Sequence, residues 1–285
     1  MKAEENLTRQ LAALIDDRFR GRRDAYAVRR KRPDSRGKHP YNPARTPDGD
    51  DLYLTSADLE KHIDGETTVG MYLFDKGCNS VCAGVFDLDA HGGATPWEDM
   101  LTKSAELQAA LMTHGLQSVR FRSRGGNGVH IWLLFDSPVH AASLRAFMQG
   151  ILTETGLREG SDGGLAAGVC EVFPKQEKVA TDGYGNLVAL PLSEESAPIN
   201  AQGEILATDD WLGFFRAIPV NQASLIPLLP EAGKKPVGRP RKSATVDSHP
   251  LEGCAFVQHC RETAPSLSEP LWFALASNCG VVEGG

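Results

Sequence analysis

The chain has 285 residues, of which 41% are hydrophobic and 24% charged, and its formal net charge at pH 7 is −7. This length can bury a sizeable core, and the negative balance argues against a protein that is basic over its whole surface. The sequence has no apolar run of about 18 residues, no apolar signal-peptide core at its start, and only six cysteines, too few for a disulfide scaffold. We therefore expect a cytoplasmic protein with no membrane partner.

The N-terminal part combines a helical pattern with concentrated positive charge. Leu7, Leu11 and Leu14 have helical spacing and predict a first helix over residues 5–19. Basic side chains follow, interleaved with two tyrosines, and this mixture suits a nucleic-acid backbone with stacked bases as well as it suits a solvated arm. The basic residues are Arg18, Arg20, Arg22, Arg23, Arg29, Arg30, Lys31, Arg32, Arg36, Lys38 and Arg45, the tyrosines are Tyr26 and Tyr41, and the predicted nucleic-acid contacts are Arg22, Arg23, Arg29 and Arg30.

The middle of the chain alternates strand and helix patterns. A short helix is predicted over residues 55–63, with Thr55 or Ser56 as its N-cap, and strands over 67–74 and 83–89. Residues 95–98 form a capping-box pattern with proline at the first helical position, and this helix should end near His114. The remaining predicted elements are a strand at 118–123, a glycine-rich turn at 124–128, a strand at 129–135, a helix from Pro138 to near Gly156, strands at 169–173 and 186–192, and a helix at 209–217.

Composition divides the chain into three parts. Residues 1–230 form one predicted domain. Residues 231–248 are rich in proline, glycine and basic side chains and predict a linker. Within this linker Arg239 and Arg241 flank a proline, as in an AT-hook that lies in a narrow minor groove, although such a segment also serves as a plain basic linker. Residues 249–285 resume an apolar pattern and predict the start of a helical module, apparently truncated.

The order strand–helix–strand–strand–helix–strand indicates an α+β fold with an RRM-like, or ferredoxin-like, core over about residues 67–192 and an N-terminal α/β module. In that topology the first strand is central, and both helices cover one face of the sheet while the other stays open. Alternation along the strands directs four polar side chains to the open face: Asp87, Asp89, His130 and Glu171.

Three of these side chains predict a metal site. Asp87, Asp89 and Glu171 supply hard oxygen ligands suited to Mg²⁺ or Mn²⁺, and two such ions can activate an attacking hydroxyl and neutralise phosphoryl oxygens. The alternative for the Asp pair alone is a solvated strand end.

The glycine-rich turn predicts a phosphate-binding hairpin beside the acids. Its glycines let backbone N–H groups approach an anion, and the side chains of Arg122, Ser123, Arg124 and His130 can hold a triphosphate. The alternative is an ordinary hairpin whose glycines serve only the turn.

These segments together resemble the archaeo-eukaryotic primase superfamily. The segments are Phe-Asp-Leu-Asp, Arg-Ser-Arg-Gly-Gly-Asn-Gly-Val-His-Ile-Trp, Glu-Val-Phe-Pro-Lys-Gln and Gly-Tyr-Gly-Asn-Leu-Val-Ala-Leu-Pro-Leu. They are most similar to the primase–polymerase branch of bacterial conflict systems (TOTE-like), CRISPR-associated loci and mobile-element replication proteins. The resemblance covers roughly residues 20–229.

The resemblance implies roles for individual residues. Asp87 and Asp89 match the first metal motif, Glu171 the third, and His130 the nucleotide-binding histidine of the second. The second motif often has serine two residues before the histidine, where this chain has Gly128. Further phosphate contacts implied by the resemblance are Arg122, Ser123 and Lys175. The segment after the linker is similar to one that precedes a helicase in phage and plasmid proteins, so a helicase is an expected partner in the full-length protein or locus.

Zinc is not expected. Cys78 and Cys82 precede the central strand, but a zinc site would need two more ligands and His91 is the only near candidate. Two ordinary reduced cysteines explain the pair.

The sequence therefore predicts a DNA primase–polymerase, a nucleotidyltransferase that uses two Mg²⁺ or Mn²⁺ ions, nucleoside triphosphates and a single-stranded DNA template in replication or defence. Two alternatives stay open: a non-catalytic module that binds single-stranded nucleic acid, and a metal-dependent nuclease. The first must explain why carboxylates, which repel phosphate, line the predicted binding face. The second needs the same ions but no triphosphate pocket.

Overall fold

The structure of the chain is a computed structural model that describes residues 2–91 and 95–228. The predicted linker with Arg239 and Arg241, and the predicted module at 249–285, lie outside the described residues. The helices are α1 (Lys2–Arg18), α2 (Ser56–Ile63), α3 (Trp97–Thr113), α4 (Ala141–Glu154) and α5 (Thr208–Arg216). The strands are β1 (Ala27–Arg29), β2 (Tyr41–Pro43), β3 (Val69–Tyr72), β4 (Ser80–Leu88), β5 (Val119–Arg122), β6 (Val129–His140), β7 (Arg158–Glu159), β8 (Val169–Phe173), β9 (Leu187–Ala189) and β10 (Pro198–Ile199). Within the described ranges, no helix combines the length and apolarity that crossing a membrane requires.

Within residues 2–91 and 95–228, ten strands form two sheets in a mixed α/β fold. The larger sheet has six strands in the order β10-β5-β6-β4-β8-β7, and the smaller has four in the order β2-β1-β3-β9. In the larger sheet β4 pairs antiparallel with β6 on one side and with β8 on the other. The first strand of the predicted core therefore lies inside the sheet, with a strand paired on each side of it.

One face of the larger sheet packs on helix α4. Gly84 in β4 makes room for this contact, since a Cβ built there would lie 2.8 Å from the Met148 sulfur and 3.2 Å from a Leu144 methyl carbon. Phe86, two residues along the strand, is fully buried. The side chains at alternate positions of β4 therefore form the helix-covered face, as predicted.

The opposite face is not open, and that prediction is wrong. The Phe19 ring, just after α1, packs edge-on against Trp132 with 4.9 Å between ring centroids. Phe215 of α5 lies 5.7 Å from Phe121 of β5, and Trp132 and Phe121 are fully buried. These large apolar rings share the face that carries His130, and burying them requires a second layer over that part of the sheet.

Element ends show where local sequence signals were misread. Thr55 is the N-cap of α2 in a reciprocal capping box with Asp58, so of the two candidates Thr55 is correct. The capping box predicted for α3 is absent, because Pro96 occupies the N-cap position and no side-chain bond caps this helix. Pro138 lies inside β6 and does not start a helix; α4 begins at Ala141. The strand predicted to reach Leu192 ends at Ala189, since Leu192 has a φ of 76°, which no strand residue adopts.

A buried histidine ties α2 to the smaller sheet. His62 is fully buried, its Nδ1 accepts the backbone N–H of Val69 at 3.0 Å, and its Nε2 lies 2.9 Å from the carbonyl oxygen of Pro191. Because Nδ1 accepts, the ring is neutral with its proton on Nε2. Burial lowers the pKa of His62 below its usual value.

We expect this histidine to make folding stability depend on pH. An unfolded chain protonates its histidines near pH 6.5, while folded His62 resists protonation, so between these two pKa values the unfolded state binds more protons. The contribution of His62 to the free energy of unfolding is then fully present above about pH 6.5, and it is lost as the pH drops toward the pKa of His62 in the folded protein. Urea unfolding of His62→Gln at pH 7.5 and 5.5 should show a smaller loss on acidification than the wild type. Equal losses in His62→Gln and the wild type would contradict the prediction.

Candidate active site

Three polar side chains form a row across the centre of the larger sheet. Asp87 of β4 is the register partner of His130 in β6 on one side and of Glu171 in β8 on the other. Register partners in antiparallel strands have Cβ atoms about 5 Å apart and point to the same face. Asp87 therefore lies between His130 and Glu171, on the face opposite α4.

Asp89 lies beyond the end of β4 and is held by a different part of the chain. Its carbonyl oxygen accepts the N–H of Leu165 at 3.0 Å, and its Oδ2 is 3.5 Å from Nδ1 of His91. Asp89 lines the same cleft as Asp87 and His130. The backbone of Asp89 is therefore held by the turn around residue 164 and not by pairing within the sheet.

Each carboxylate in the row has a basic partner. Asp87 Oδ1 is 3.3 Å from Nε2 of His130, and Glu171 Oε2 is 2.7 Å from Nζ of Lys175. In the part of the chain that the structure describes, no three His, Cys, Asp or Glu side chains come close enough together to hold a metal ion. The predicted ligands Asp87 and Glu171 thus share a face, but the trio with Asp89 is not gathered, and Glu171 is paired with Lys175.

Mutual attraction decides the protonation of the Asp87–His130 pair. Burial by itself raises the pKa of Asp87 and lowers that of His130, since it disfavours both charged forms. The attraction and hydrogen bond between the two groups outweigh burial, so the pKa of Asp87 is lowered and that of His130 is raised. Lys175 and His91 act in the same direction on Asp87. Each group of the pair therefore favours the charged form of the other.

Asp87 and His130, together with Asp89, line a cleft of about 350 Å³ between the larger sheet and the smaller one, and Glu171 is not among its lining residues. The larger sheet and its glycine-rich hairpin form one wall, and the smaller sheet forms the other. Residues on the first wall are Asp87, Asp89, Ser123, Arg124, Gly125, Asn127, His130 and Phe173, and those on the second are Tyr41, Leu187, Val188 and Ala189. The sequence reasoning missed the second wall, because β9 has only three residues and nothing in the sequence says which sheet it joins.

The hairpin between β5 and β6 is tightly fixed at Ser123. The Ser123 hydroxyl accepts the N–H of Gly128 at 3.0 Å, and the Ser123 N–H donates to the Gly128 carbonyl at 2.7 Å. A Cβ built at Gly128 would lie 2.6 Å from the Leu88 carbonyl oxygen and 2.9 Å from the Ser123 hydroxyl. The Ser123 hydroxyl thus fills the space that a serine side chain at position 128 would need.

The predicted phosphate contacts separate into two groups. Ser123 and His130 line the cleft, as does Arg124. Arg122 is directed elsewhere: its Nε donates to the Gly126 carbonyl at 2.8 Å, and its guanidinium lies 5.7 Å from the centre of the Trp97 ring. Lys175 pairs with Glu171 outside the residues that line the cleft. In this structure Arg124 is the arginine at the cleft, and Arg122 is not.

The predicted nucleic-acid contacts also separate. Arg22 is buried, bonded to Asp24 and stacked over Tyr184, so its prediction as a surface contact is wrong. Arg23 pairs with Asp16, and Arg29 pairs with Glu194. Exposed positive charge is concentrated in the connection between β1 and β2, which we call the basic loop: Arg30, Lys31, Arg32, Arg36 and Lys38. Its ends adjoin Arg29 and Tyr41, and Tyr41 lines the cleft.

A mixed α/β fold with an acidic row beside a glycine-rich, basic hairpin is the arrangement of a nucleotidyltransferase-type enzyme. A family model described as the archaeo-eukaryotic primase domain of the TOTE conflict system matches residues 10–202, and the chain belongs to this family. The resemblance inferred from the motifs is thereby confirmed.

Comparison with solved structures finds primase and polymerase domains. The polymerase domain from Mycobacterium tuberculosis ligase D, in complex with DNA, is 16% identical, with a TM-score of 0.48 over 74% of this chain and 87% of that chain. The archaeo-eukaryotic primase domain of the cyanophage S-2L primase-polymerase is 18% identical, with a TM-score of 0.32 over 68% of this chain and 88% of that chain. Comparison with curated protein sequences gives no significant match.

Proposed function

We propose that the chain is a DNA primase–polymerase that transfers nucleotides from nucleoside triphosphates to a 3′-hydroxyl, directed by a single-stranded DNA template. The observation that carries the proposal is that Asp87, Asp89 and His130 line a cleft bordered by the glycine-rich hairpin, with Glu171 as the register partner of Asp87 in the next strand. Carboxylates and a cationic, N–H-rich turn in one cleft suit a substrate that brings both phosphate and metal. The order of β5, β6, β4 and β8 also supports an RRM-like core.

The proposed metal ligands are Asp87, Asp89 and Glu171. Their oxygen donors fit Mg²⁺ or Mn²⁺, and two of them are register partners on one face of the sheet. Two bound ions would lower the pKa of the attacking hydroxyl and neutralise charge on the phosphoryl oxygens.

The remaining residues of the cleft have positioning roles in this proposal. His130, whose pKa is raised by its attraction to Asp87, can donate a hydrogen bond to a phosphate oxygen, and this bond is charge-assisted when the imidazole is protonated. Arg124 and the backbone N–H groups of the hairpin can hold the rest of the triphosphate. Tyr41 and Leu187 on the opposite wall are placed to contact the sugar and base. These contacts fix the substrate in line for attack, which is a large part of what such an enzyme must supply.

One incubation tests the proposed function. The protein is mixed with a primed single-stranded template, Mn²⁺ and labelled nucleotides, and the products are separated by length. Extension of the primer supports the proposal. Degradation of the strand would indicate a nuclease, and unchanged DNA a binding module, and either result would overturn it. Parallel reactions with ribonucleotides and deoxynucleotides, with and without primer, would identify the preferred substrate and test initiation.

The basic loop is expected to hold the phosphate backbone of the template. Replacing Arg30, Lys31 and Arg32 by alanine should weaken binding of a single-stranded oligonucleotide and reduce its salt dependence, because each lost phosphate contact removes about 0.7 from the slope of log K against log salt. The slope should therefore fall by about 2, measured by fluorescence anisotropy over a salt series. The control variant replaces by alanine three exposed cations outside the loop, Arg9, Lys61 and Arg158. Its net charge changes by the same amount, and it should keep the wild-type slope. Equal slopes for both variants would contradict a role of the loop.

A further inference from the structure

A short acidic loop, residues 192–197, is bonded to the backbone of the glycine-rich hairpin. The N–H of Glu195 donates to the Arg124 carbonyl at 3.2 Å, and the N–H of Arg122 donates to the Ala197 carbonyl at 2.8 Å. The hairpin that borders the cleft therefore has a fixed neighbour on the side away from the acidic row.

The backbone of this acidic loop is strained. Among the described residues, Leu192 and Glu194 are the non-glycine residues with positive φ, at 76° and 52°. Side chains with a Cβ rarely adopt such values, and they persist only where the surrounding structure imposes them. The two strained residues are two positions apart and lie beside the candidate active site. Strain of this kind often accompanies a functional contact, and Glu194 makes such a contact through its side chain.

The Glu194 carboxylate joins the two walls of the cleft. One oxygen accepts from Nη1 of Arg29 at 2.8 Å, and the other accepts from Nη1 of Arg124 at 2.9 Å. Arg29 belongs to β1 of the smaller sheet, whereas Arg124 belongs to the hairpin of the larger sheet. Thr68 adds a weaker contact to the first oxygen at 3.4 Å. Two guanidinium groups from different sheets thus share a single carboxylate.

We propose that Glu194 is a positioning residue that orients the Arg124 guanidinium toward the triphosphate of the incoming nucleotide. The inference rests on the proposed function, since it names a residue that serves the same cleft. A guanidinium has five N–H donors. The Glu194 bond uses one of those of Arg124 and Tyr41 is a further polar neighbour, which leaves donors for phosphate. An arginine held on one side by a carboxylate loses less freedom when it binds an anion on the other side.

The charges around Glu194 also indicate that its carboxylate orients Arg124 and does not compete with the nucleotide phosphate for that guanidinium. Two arginines and one glutamate leave a net positive charge at the cleft wall. Because Arg29 binds one carboxylate oxygen and Arg124 the other, the negative charge of Glu194 is shared and does not act on Arg124 alone. A carboxylate that merely blocked the phosphate site would need no second arginine from the other sheet.

Glu194→Gln tests the proposal, with Glu195→Gln as the matched control. Glu195 is the next residue of the same loop and pairs with Arg122 at 3.4 Å, away from the cleft. Nucleotide binding is measured with a fluorescent nucleoside triphosphate in the presence of Mg²⁺, and primer extension gives KM and kcat separately. We expect Glu194→Gln to raise Kd and KM about tenfold with a much smaller change in kcat, and Glu195→Gln to match the wild type.

The double variant Arg124→Ala/Glu194→Gln separates positioning from a general structural role. If Glu194 acts through Arg124, it adds nothing to the loss caused by Arg124→Ala, whereas independent effects would multiply. Multiplied losses, unchanged affinity, or tighter nucleotide binding in Glu194→Gln would each overturn the inference. A fall in melting temperature with unaltered KM would overturn it as well.

Nucleotide binding and primer extension are measured in separate assays. The proposed polymerase activity and the proposed role of Glu194 can therefore be overturned independently of each other. A wild-type protein that binds triphosphate without extending a primer would overturn the proposed polymerase activity. The comparison of Glu194→Gln, Arg124→Ala and the double variant in the binding assay would still decide the role of Glu194. A wild-type protein that binds no triphosphate would overturn both.

Discussion

Replacing Asp87 by asparagine is expected to reduce nucleotide incorporation by about a thousandfold or more, which corresponds to about 4 kcal/mol of transition-state stabilisation. Asp87 is the central member of the row, with His130 and Glu171 as its register partners. The substitution keeps the shape of the side chain but removes its charge. It removes a proposed cation ligand and also the partner whose attraction raises the pKa of His130, so the site is expected to bind both the cation and the phosphate less well.

The measurement is primer extension under single-turnover conditions, with the melting temperature as a check on folding. Asp99→Asn, an exposed carboxylate in the first turn of α3, is the control and should leave the rate unchanged. The double variant Asp87→Ala/Asp89→Ala should abolish incorporation altogether. Synthesis that survives in this folded double variant would contradict the proposed role of the acidic row.

The central part of the site could be predicted because alternation along a strand is a local rule. Once β4, β6 and β8 are identified, side-chain direction follows from the period of two, and Asp87, His130 and Glu171 fall on one face. The register that makes Asp87 the direct partner of both others depends on turn lengths and packing. The sequence could therefore predict their shared face but not their adjacency.

Contacts between distant segments could not be predicted. Arg22 and Arg29 stand in the same basic stretch, yet Arg22 is buried against Asp24 while Arg29 reaches Glu194, which is 165 positions away in the sequence. Both arginines count equally as positive charges in the sequence, and that count carries no information about which residues each contacts in the fold. The choice between Arg122 and Arg124 as the arginine at the cleft has the same origin, since Arg122 pairs with Glu195 and Arg124 pairs with Glu194, both about 70 positions away in the sequence.

The error about the open face has a physical cause that was visible in the sequence. Trp132 is two residues from His130 and so shares its face, and an indole on an exposed sheet surface would leave a large apolar area in water. The structure covers it with Phe19, and covers the neighbouring Phe121 with α5. Treating Trp132 as a buried residue would have predicted a second layer, and with it a cleft in place of an open surface.

Gly164→Ala is expected to damage the site more than any other single-methyl change in the loop before β8. Gly164 has φ 54° and ψ −150°, a combination that residues with a Cβ do not adopt without strain. A Cβ built there would lie 2.1 Å from the carbonyl oxygen of Asp89. The added methyl must therefore push away the backbone of Asp89, which is held by its bond from Leu165. We expect a loss of about 3 kcal/mol in the free energy of unfolding and a loss of about a hundredfold in nucleotide incorporation.

Gly168→Ala, four residues later, separates the effect of displacing Asp89 from the effect of backbone strain alone. Gly168 also has a left-handed conformation, with φ 66°, but a Cβ there meets no atom within 4 Å. Its alanine variant should lose only about 1–2 kcal/mol of stability and keep its activity when assayed well below its melting temperature. Urea unfolding and primer extension of both variants give the comparison.

If Gly164→Ala lost stability but extended primers at the wild-type rate, the position of Asp89 would not matter to the reaction, and its assignment as a metal ligand would be wrong. If instead the two variants lost activity in parallel with stability, strain in the loop would explain both, and the close approach of Gly164 to Asp89 would have no separate role.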